Sequence, residues 1–418
     1  MSRFQEINVL YSGNSPEEQV GLLAISGQKV LFEYDQAWIK KGLQLSPRHL
    51  PTTQSRFQFE ISRLYNGLPG LFADSLPDGW GMLIMDRLFL NNGIRRDNIS
   101  PLDRLAYLGT NAMGALIYQH MLQKDDQSDE AVQIGVIAQE ALKLYEGDIE
   151  EASRLLSKIG GSPGGARPKG LIGISDCGTR FISGLNALPV GYSHWLIKFS
   201  GLKPTQHRTL GPYEGVIEYI YLKMAETAGI TVPEYRLITD ESGIQHIAVR
   251  RFDRPNRTDR IHAATAAGLL HADPGTPSID YSDLIKWAWV LTKDSRSVEE
   301  QFRRAVFNYS AVNRDDHAKN HGYLMDSTGR WYLSPAYDLT YSTGPGGEHW
   351  TSYLGEGKNV PCKTFLKIAQ SGLINERTAN EIIDQVWTAL EQFSVLCKDF
   401  NVPSKYSSPI LEEMIRVK

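Results

Sequence analysis

Apolar and polar positions divide the chain into recognisable elements. Short apolar runs at 7–11, 20–26 and 29–34 predict strands, and Gly27-Gln28 between the last two carries a hairpin turn signal. From 71 to 91 the apolar spacing becomes helical, with a polar start at Asp74-Ser75 and Pro77 in the first turn. The polar, charged stretch 124–130 reads as a linker or exposed loop, and helical spacing resumes over about 131–156. A glycine-rich run follows at 160–170, then strand-like runs at 171–175 and 180–183 and a buried strand at 195–199. An amphipathic helix is expected over 213–229, closed by Gly229. Strands at 235–239 and 244–252 are joined by the turn Asp240-Glu241-Ser242-Gly243. The remainder is mostly helical, broken by a polar loop at 313–321 and a hairpin at 322–339. No internal repeat or low-complexity tract is found. The expected fold class is α+β, divided at 1–120, 121–255 and 256–418.

Composition agrees with a globular protein: 418 residues, 41% hydrophobic and 22% charged, enough to bury a large core. The net charge of −4 argues against strong, direct nucleic-acid binding through a basic face, and leaves room for a DNA-binding partner. Cys177, Cys362 and Cys397 are odd in number and far apart. They form neither a disulfide framework nor a zinc spacing, and fit free thiols in a reducing compartment. No signal-peptide pattern is found, and no run approaches the roughly 18 apolar residues of a membrane span. The expectation is a cytoplasmic protein, off the membrane.

The candidate chemistry is phosphoryl transfer, which needs groups to hold ATP, neutralise its phosphates, bind magnesium and orient a hydroxyl nucleophile. Asp315 and Asn320 have the spacing of a kinase catalytic loop, the acid accepting the hydroxyl proton and the amide oxygen facing magnesium. Asn313-Arg314 stands where His-Arg usually precedes that acid, and the plain alternative is a polar loop capping a helix. Asp338 follows the 322–339 hairpin, where a kinase keeps its second magnesium ligand, although the usual Phe-Gly after it is missing. An Asx cap would also account for it. Lys198 lies inside an apolar strand and needs an anionic partner or a route to water. Glu218 on the next helix is the candidate partner, Glu214 one turn earlier a weaker one. In the glycine-rich run, Gly164 and Gly165 allow close backbone approach to phosphates, with charge from Arg167 and Lys169. The run is not a Walker A motif, Pro163 and Pro168 offer no N–H, and a surface turn is the ordinary alternative. His317 and His321 with Asp315 and Asp316 open a metal-dependent hydrolase reading, in which Asn320 has no role. Arg250-Arg251 and Arg254 read as a phosphate patch or as solvated strand-end charges.

Together these segments resemble the HipA family of bacterial toxin serine/threonine protein kinases, over about residues 5–400. The resemblance rests on Leu76-Pro77-Asp78-Gly79, Ser162-Pro163-Gly164-Gly165-Ala166-Arg167-Pro168-Lys169, the 195–199 strand, Glu218, Arg251-Phe252-Asp253-Arg254, the 313–320 segment and Tyr337-Asp338. It implies a two-lobed, protein-kinase-like fold: a small β-rich N-terminal domain (1–120), a nucleotide-binding lobe with the glycine-rich loop (121–255) and a helical catalytic lobe (256–418). It implies ATP and Mg2+ as cofactors and a small helix-turn-helix antitoxin as partner. It also implies a protein substrate, an aminoacyl-tRNA synthetase being one type in the family. Carried over position by position, Asp315 is the catalytic base, Asn320 and Asp338 the magnesium ligands and Lys198 the phosphate-contacting lysine. Ser162 falls on the serine that the family autophosphorylates, with Pro163 beside it as a departure. The competing classes are a catalytically inactive kinase-like scaffold that binds an antitoxin, and the metal-dependent hydrolase.

Overall fold

Alternation of buried and outward residues sets the first sheet. Ile7, Val9 and Tyr11, then Val30, Phe32 and Tyr34, are buried on successive odd or even positions. The structure, a computed structural model, describes residues 4–13, 16–61, 64–119, 131–146, 156, 165, 167–201 and 210–417. Strands β1 (Glu6–Tyr11), β2 (Glu18–Ser26), β3 (Lys29–Tyr34), β4 (Arg56–Glu60) and β5 (Leu116–Gln119) form an antiparallel sheet in the order β4-β3-β2-β1-β5. Gly27 takes φ 59° in the β2–β3 turn, as the hairpin signal predicts. The helical stretch expected over 71–91 is split into Gly70–Ala73 and Gly79–Asn91, with Pro77 between them. Proline cannot supply the N–H that a continuous helix needs there.

The second sheet contains β6 (Lys169–Ser175), β7 (Phe181–Ser183), β8 (Tyr192–Lys198), β9 (Tyr235–Thr239) and β10 (Gln245–Arg250), ordered β7-β6-β8-β10-β9. One face carries Ile172, Ile174, Trp195, Ile197 and Ala248, which pack with Trp80 and Ile84 of Gly79–Asn91 and with Ile134 and Ile137 of the helix Ile134–Glu146. The helix Glu214–Thr227 buries Val216, Ile217, Ile220, Tyr221 and Met224 in the main core, and Gly229 beyond it takes φ 80°. The remaining strands are β11 (His262–Thr265), β12 (Ile279–Asp280), β13 (Gly322–Met325), β14 (Trp331–Leu333) and β15 (Thr351–Ser352). They form the sheet β11-β13-β14 and the parallel pair β12-β15. The helical C-terminal region begins with Tyr281–Thr292 and Ser295–Ser310, capped by the side chains of Asp280 and Asp294. Among the described residues, no helix is long and apolar enough to cross a membrane.

Two polar junctions tie the N-terminal domain to the rest. In the first, Asp253 accepts from Arg251 at 2.7 and 3.0 Å, from Arg254 at 2.8 Å and from the Gly114 N–H at 2.9 Å. Arg254 also donates to the Gly114 and Ala112 carbonyls at 2.9 and 3.0 Å. Arg251 and Arg254 are therefore not solvated strand-end charges; they are buried in an ion-paired knot. In the second, Asp74 accepts from the Thr265 N–H and hydroxyl, and the Gly70 N–H donates to His271 Nε2 at 3.0 Å. A Cβ on Gly70 would stand 2.4 Å from the Gly268 carbonyl oxygen, so only glycine permits this approach.

Burial pushes the imidazoles of His194, His262, His271 and His321 down to about 4. The unfolded chain takes up these protons near pH 6.5, and the folded chain takes them up only near pH 4. Stability is therefore full above about pH 6.5 and lost as pH falls from there toward 4. The melting temperature is expected to fall by at least about 5 °C between pH 7 and pH 5. Thermal melts in matched ionic strength test this, and an unchanged midpoint would refute it.

Candidate active site

The second sheet presents one face to a cleft of about 1070 Å³, part of it open to solvent. Alternate residues line it: Lys169 and Leu171 from β6, Leu196 and Lys198 from β8, and Val249 from β10. Lys169 and Lys198 are direct partners in the antiparallel pairing of β6 and β8, so both side chains leave the sheet on the same side. The cleft thus has an apolar wall of Leu171, Leu196, Leu222 and Val249 and a cationic end. A flat base fits the first and phosphates the second.

Lys198 Nζ lies 2.5 Å from Glu218 Oε1 and 2.5 Å from Asp338 Oδ1. Burial works against its charge, but the two carboxylates outweigh burial and hold its pKa above the ordinary lysine value. Glu214 does not share this pair; it is buried and lies 3.3 Å from Arg167 Nη1. Burial lowers the pKa of Lys169, partly offset by Asp338. Asp338 has φ 54°, a left-handed conformation uncommon for a non-glycine residue. Burial favours its neutral form, yet Lys198 and Lys169 hold the carboxyl well below the usual range.

Asp315, His317 and Asn320 sit on the loop before β13. Asn320 Nδ2 donates to the Asp315 carbonyl at 2.7 Å, which leaves Oδ1 as the acceptor of that side chain. Asn320 and Asp338 both line the cleft, so the two oxygen donors expected for magnesium are brought together with Lys198 and Lys169. The Asp315 side chain is 55% exposed, 4.0 Å from His317 Nε2. The surrounding wall and the charges of Asp338 and Asp316 push its pKa up, against His317. A raised pKa makes the carboxylate a better proton acceptor.

Asp316 faces the other way. It is buried and accepts from Tyr281 Oη at 2.8 Å, the Trp350 N–H at 2.9 Å and the Thr351 N–H at 3.2 Å, and pairs with His349 Nδ1 at 2.9 Å. Its carbonyl meets His321 Nε2 at 3.1 Å. Asp316 and His321 thus anchor the loop from below. Among the described residues, no group of three or more His, Cys, Asp or Glu is placed to hold a metal, so the hydrolase reading finds no ligand set there. Gly165 lines the cleft, while Ser162 and Gly164 lie outside the described residues. Sequence reasoning gave no role to Asp74, Asp78, Met113 or Lys319, which also line it. Of these, Asp78 and Lys319 carried a signal, as members of Leu76-Pro77-Asp78-Gly79 and of the 313–320 segment.

Residues 161–393 match the HipA-like C-terminal domain, more than half of the chain, and residues 13–119 match the HipA N-terminal domain. The chain belongs to the HipA family. HipA of Shewanella oneidensis MR-1, solved with HipB and its operator DNA, superposes with a TM-score of 0.68 at 14% identity, over 98% of this chain and 96% of that one. That likeness gives the HipA fold to the whole of the described chain, in keeping with the two-lobed α+β arrangement expected from the sequence. The Helicobacter pylori proinflammatory kinase CtkA matches over 53% of this chain and 92% of its own, with a TM-score of 0.32 and 14% identity. A comparison with curated proteins gives no match.

Proposed function

We propose that this HipA-family chain is an ATP- and Mg2+-dependent serine/threonine protein kinase that acts as a toxin on a cellular protein, possessing Asp315 as its base. The observation that carries the reading is the convergence of Lys198, Glu218, Asp338 and Asn320 in one cleft, with Asp315 on the same loop as Asn320. When bound, ATP supplies the transferable phosphoryl group and Mg2+ neutralises its charge. Asp315 accepts the proton of the attacking hydroxyl. Lys198 and Lys169 hold phosphate oxygens, Glu218 orients Lys198, and Asn320 and Asp338 offer hard oxygen donors to the cation. Lys198 pairs with Asp338, so the carboxylate that would hold the cation and the lysine that would hold phosphate are already adjacent.

Ser162 is the proposed autophosphorylation site, within the glycine-rich run that also contains Gly164 and Gly165. The proposed partner is a small helix-turn-helix antitoxin, in line with the HipB that accompanies the Shewanella protein in its structure. An aminoacyl-tRNA synthetase is a candidate substrate.

The test is incubation of the purified protein with labelled ATP and Mg2+, followed by phosphopeptide mapping. Label on Ser162 supports the reading; a protein that binds ATP and transfers no phosphate to itself or to co-purifying proteins favours the scaffold. Asp338→Ala is expected to remove most of the gain in ATP affinity that Mg2+ provides, about tenfold or more. Calorimetric titration with and without Mg2+ measures it, and an equal magnesium effect in the variant would strike Asp338 from the ligand set.

A further inference from the structure

Asp78 stands at the start of the helix Gly79–Asn91, and its side chain makes no capping bond to that helix. Aspartate is among the residues best suited to such a cap. Here the carboxylate is turned elsewhere: Oδ1 accepts the backbone N–H of Gly165 in the glycine-rich run. The Trp80 N–H donates back to the Gly165 carbonyl at 3.0 Å, and Trp80 Nε1 donates to the Lys169 carbonyl at 2.8 Å. Gly165 has φ 96°, and a Cβ there would lie 2.3 Å from Lys169 Nζ. The positive φ favours glycine at this place. The other oxygen, Oδ2, lies 3.7 Å from Lys319 Nζ, which donates to the Leu76 carbonyl at 3.1 Å. The Lys319 carbonyl in turn accepts the Tyr337 hydroxyl at 2.6 Å, one residue before Asp338.

We propose that Asp78, supplied by the N-terminal domain, is a positioning residue of the phosphotransfer cleft. It sets the spacing between the glycine-rich segment with Lys169 and the loop of Asp315 and Asn320. This rests on the kinase reading above. One carboxylate oxygen anchors the glycine-rich segment, and the other draws in the loop lysine. The same negative charge lies near Lys169 and Lys319 and offsets the repulsion between them. The N-terminal domain is then part of the machinery and not an appendage to it.

The two oxygens can be tested apart. Asp78→Asn keeps an acceptor for the Gly165 N–H and loses the charge that faces Lys319; Asp78→Ala loses both. With wild type, they are compared in labelled-ATP transfer, ATP·Mg2+ calorimetry and thermal melts. Asp78→Ala is expected to raise the ATP KM about tenfold and to lower kcat about tenfold or more. Asp78→Asn is expected to keep KM within about threefold while kcat falls about tenfold. A merely structural role would lower the melting temperature and the active fraction without that split. Wild-type KM and kcat in Asp78→Ala overturns the inference and leaves the kinase reading intact. So does an Asp78→Asn indistinguishable from Asp78→Ala, with both losses tracking stability. If Asp78→Ala does not fold, the KM-against-kcat split in Asp78→Asn decides alone. Absence of transfer in wild type overturns both.

Discussion

Asp315→Asn is expected to slow phosphoryl transfer at least about 100-fold, on the scale of losing a general base, with nucleotide affinity left within about threefold. The substitution keeps the shape of the side chain and removes its ability to take a proton at neutral pH. The neighbouring contacts should survive. Asn320 is held by the Asp315 backbone carbonyl, which the substitution does not touch, and Lys198, Glu218 and Asp338 form a separate ion-paired group. Loss of rate without loss of binding therefore separates the proton acceptor from the phosphate contacts. Initial rates with labelled ATP, alongside calorimetry on the same preparation, give both numbers. Turnover like wild type in the purified variant would remove Asp315 from the role.

Asp253→Ala is expected to cost about 3–5 kcal/mol of folding stability, the scale for removing one partner of a buried ion pair. Asp253 pairs with two buried guanidinium groups, and it also accepts the Gly114 N–H. Burial alone would favour its neutral form, but Arg251 and Arg254 hold the carboxyl far below the usual range. Its contribution is present above about pH 4 and lost as pH falls through the depressed folded value. Without the carboxylate, Arg251 and Arg254 face each other unneutralised. The knot also carries the contacts of Arg254 to Gly114 and Ala112, so attachment of the N-terminal sheet should loosen first. Urea denaturation measures the loss, and hydrogen exchange at β1 and β5 locates it. A change below about 1 kcal/mol would show that the knot contributes little.

The pairing of Lys198 was legible from its place along the chain. Lys198 in an apolar strand demanded a counter-charge, and Glu218 supplies it. The apolar runs marked β1, β2, β3 and β9 nearly to their ends, while β8 begins three residues before the expected 195–199 run. What depended on distant partners was not legible. Nothing near Arg251 and Arg254 announces carbonyls at Ala112 and Gly114, so their burial could not be read from a strand end. Strand β4, Arg-Phe-Gln-Phe-Glu, has the period-2 pattern but little apolar content, and its existence is owed to pairing with β3. Asp78 stood in the segment Leu76-Pro77-Asp78-Gly79 without a role of its own, because its bond to Gly165 spans 87 residues. The hairpin expected through 339 ends its last strand at Leu333, and the chain then turns so that Asp338 meets Lys198.

The direct pairing of Lys169 with Lys198 across β6 and β8 also bears on how the molecule guards against its own misassembly. A slip of one residue between strands exchanges the two faces of the slipped strand. Here it would drive an ammonium group into the layer of Ile172, Trp195 and Ile197 and turn an apolar side chain toward phosphate. The error that ruins the cleft is thus the same error that ruins the core. A molecule with these strands out of register lacks the paired lysines at the cationic end of the cleft, so a formed cleft reports a formed core.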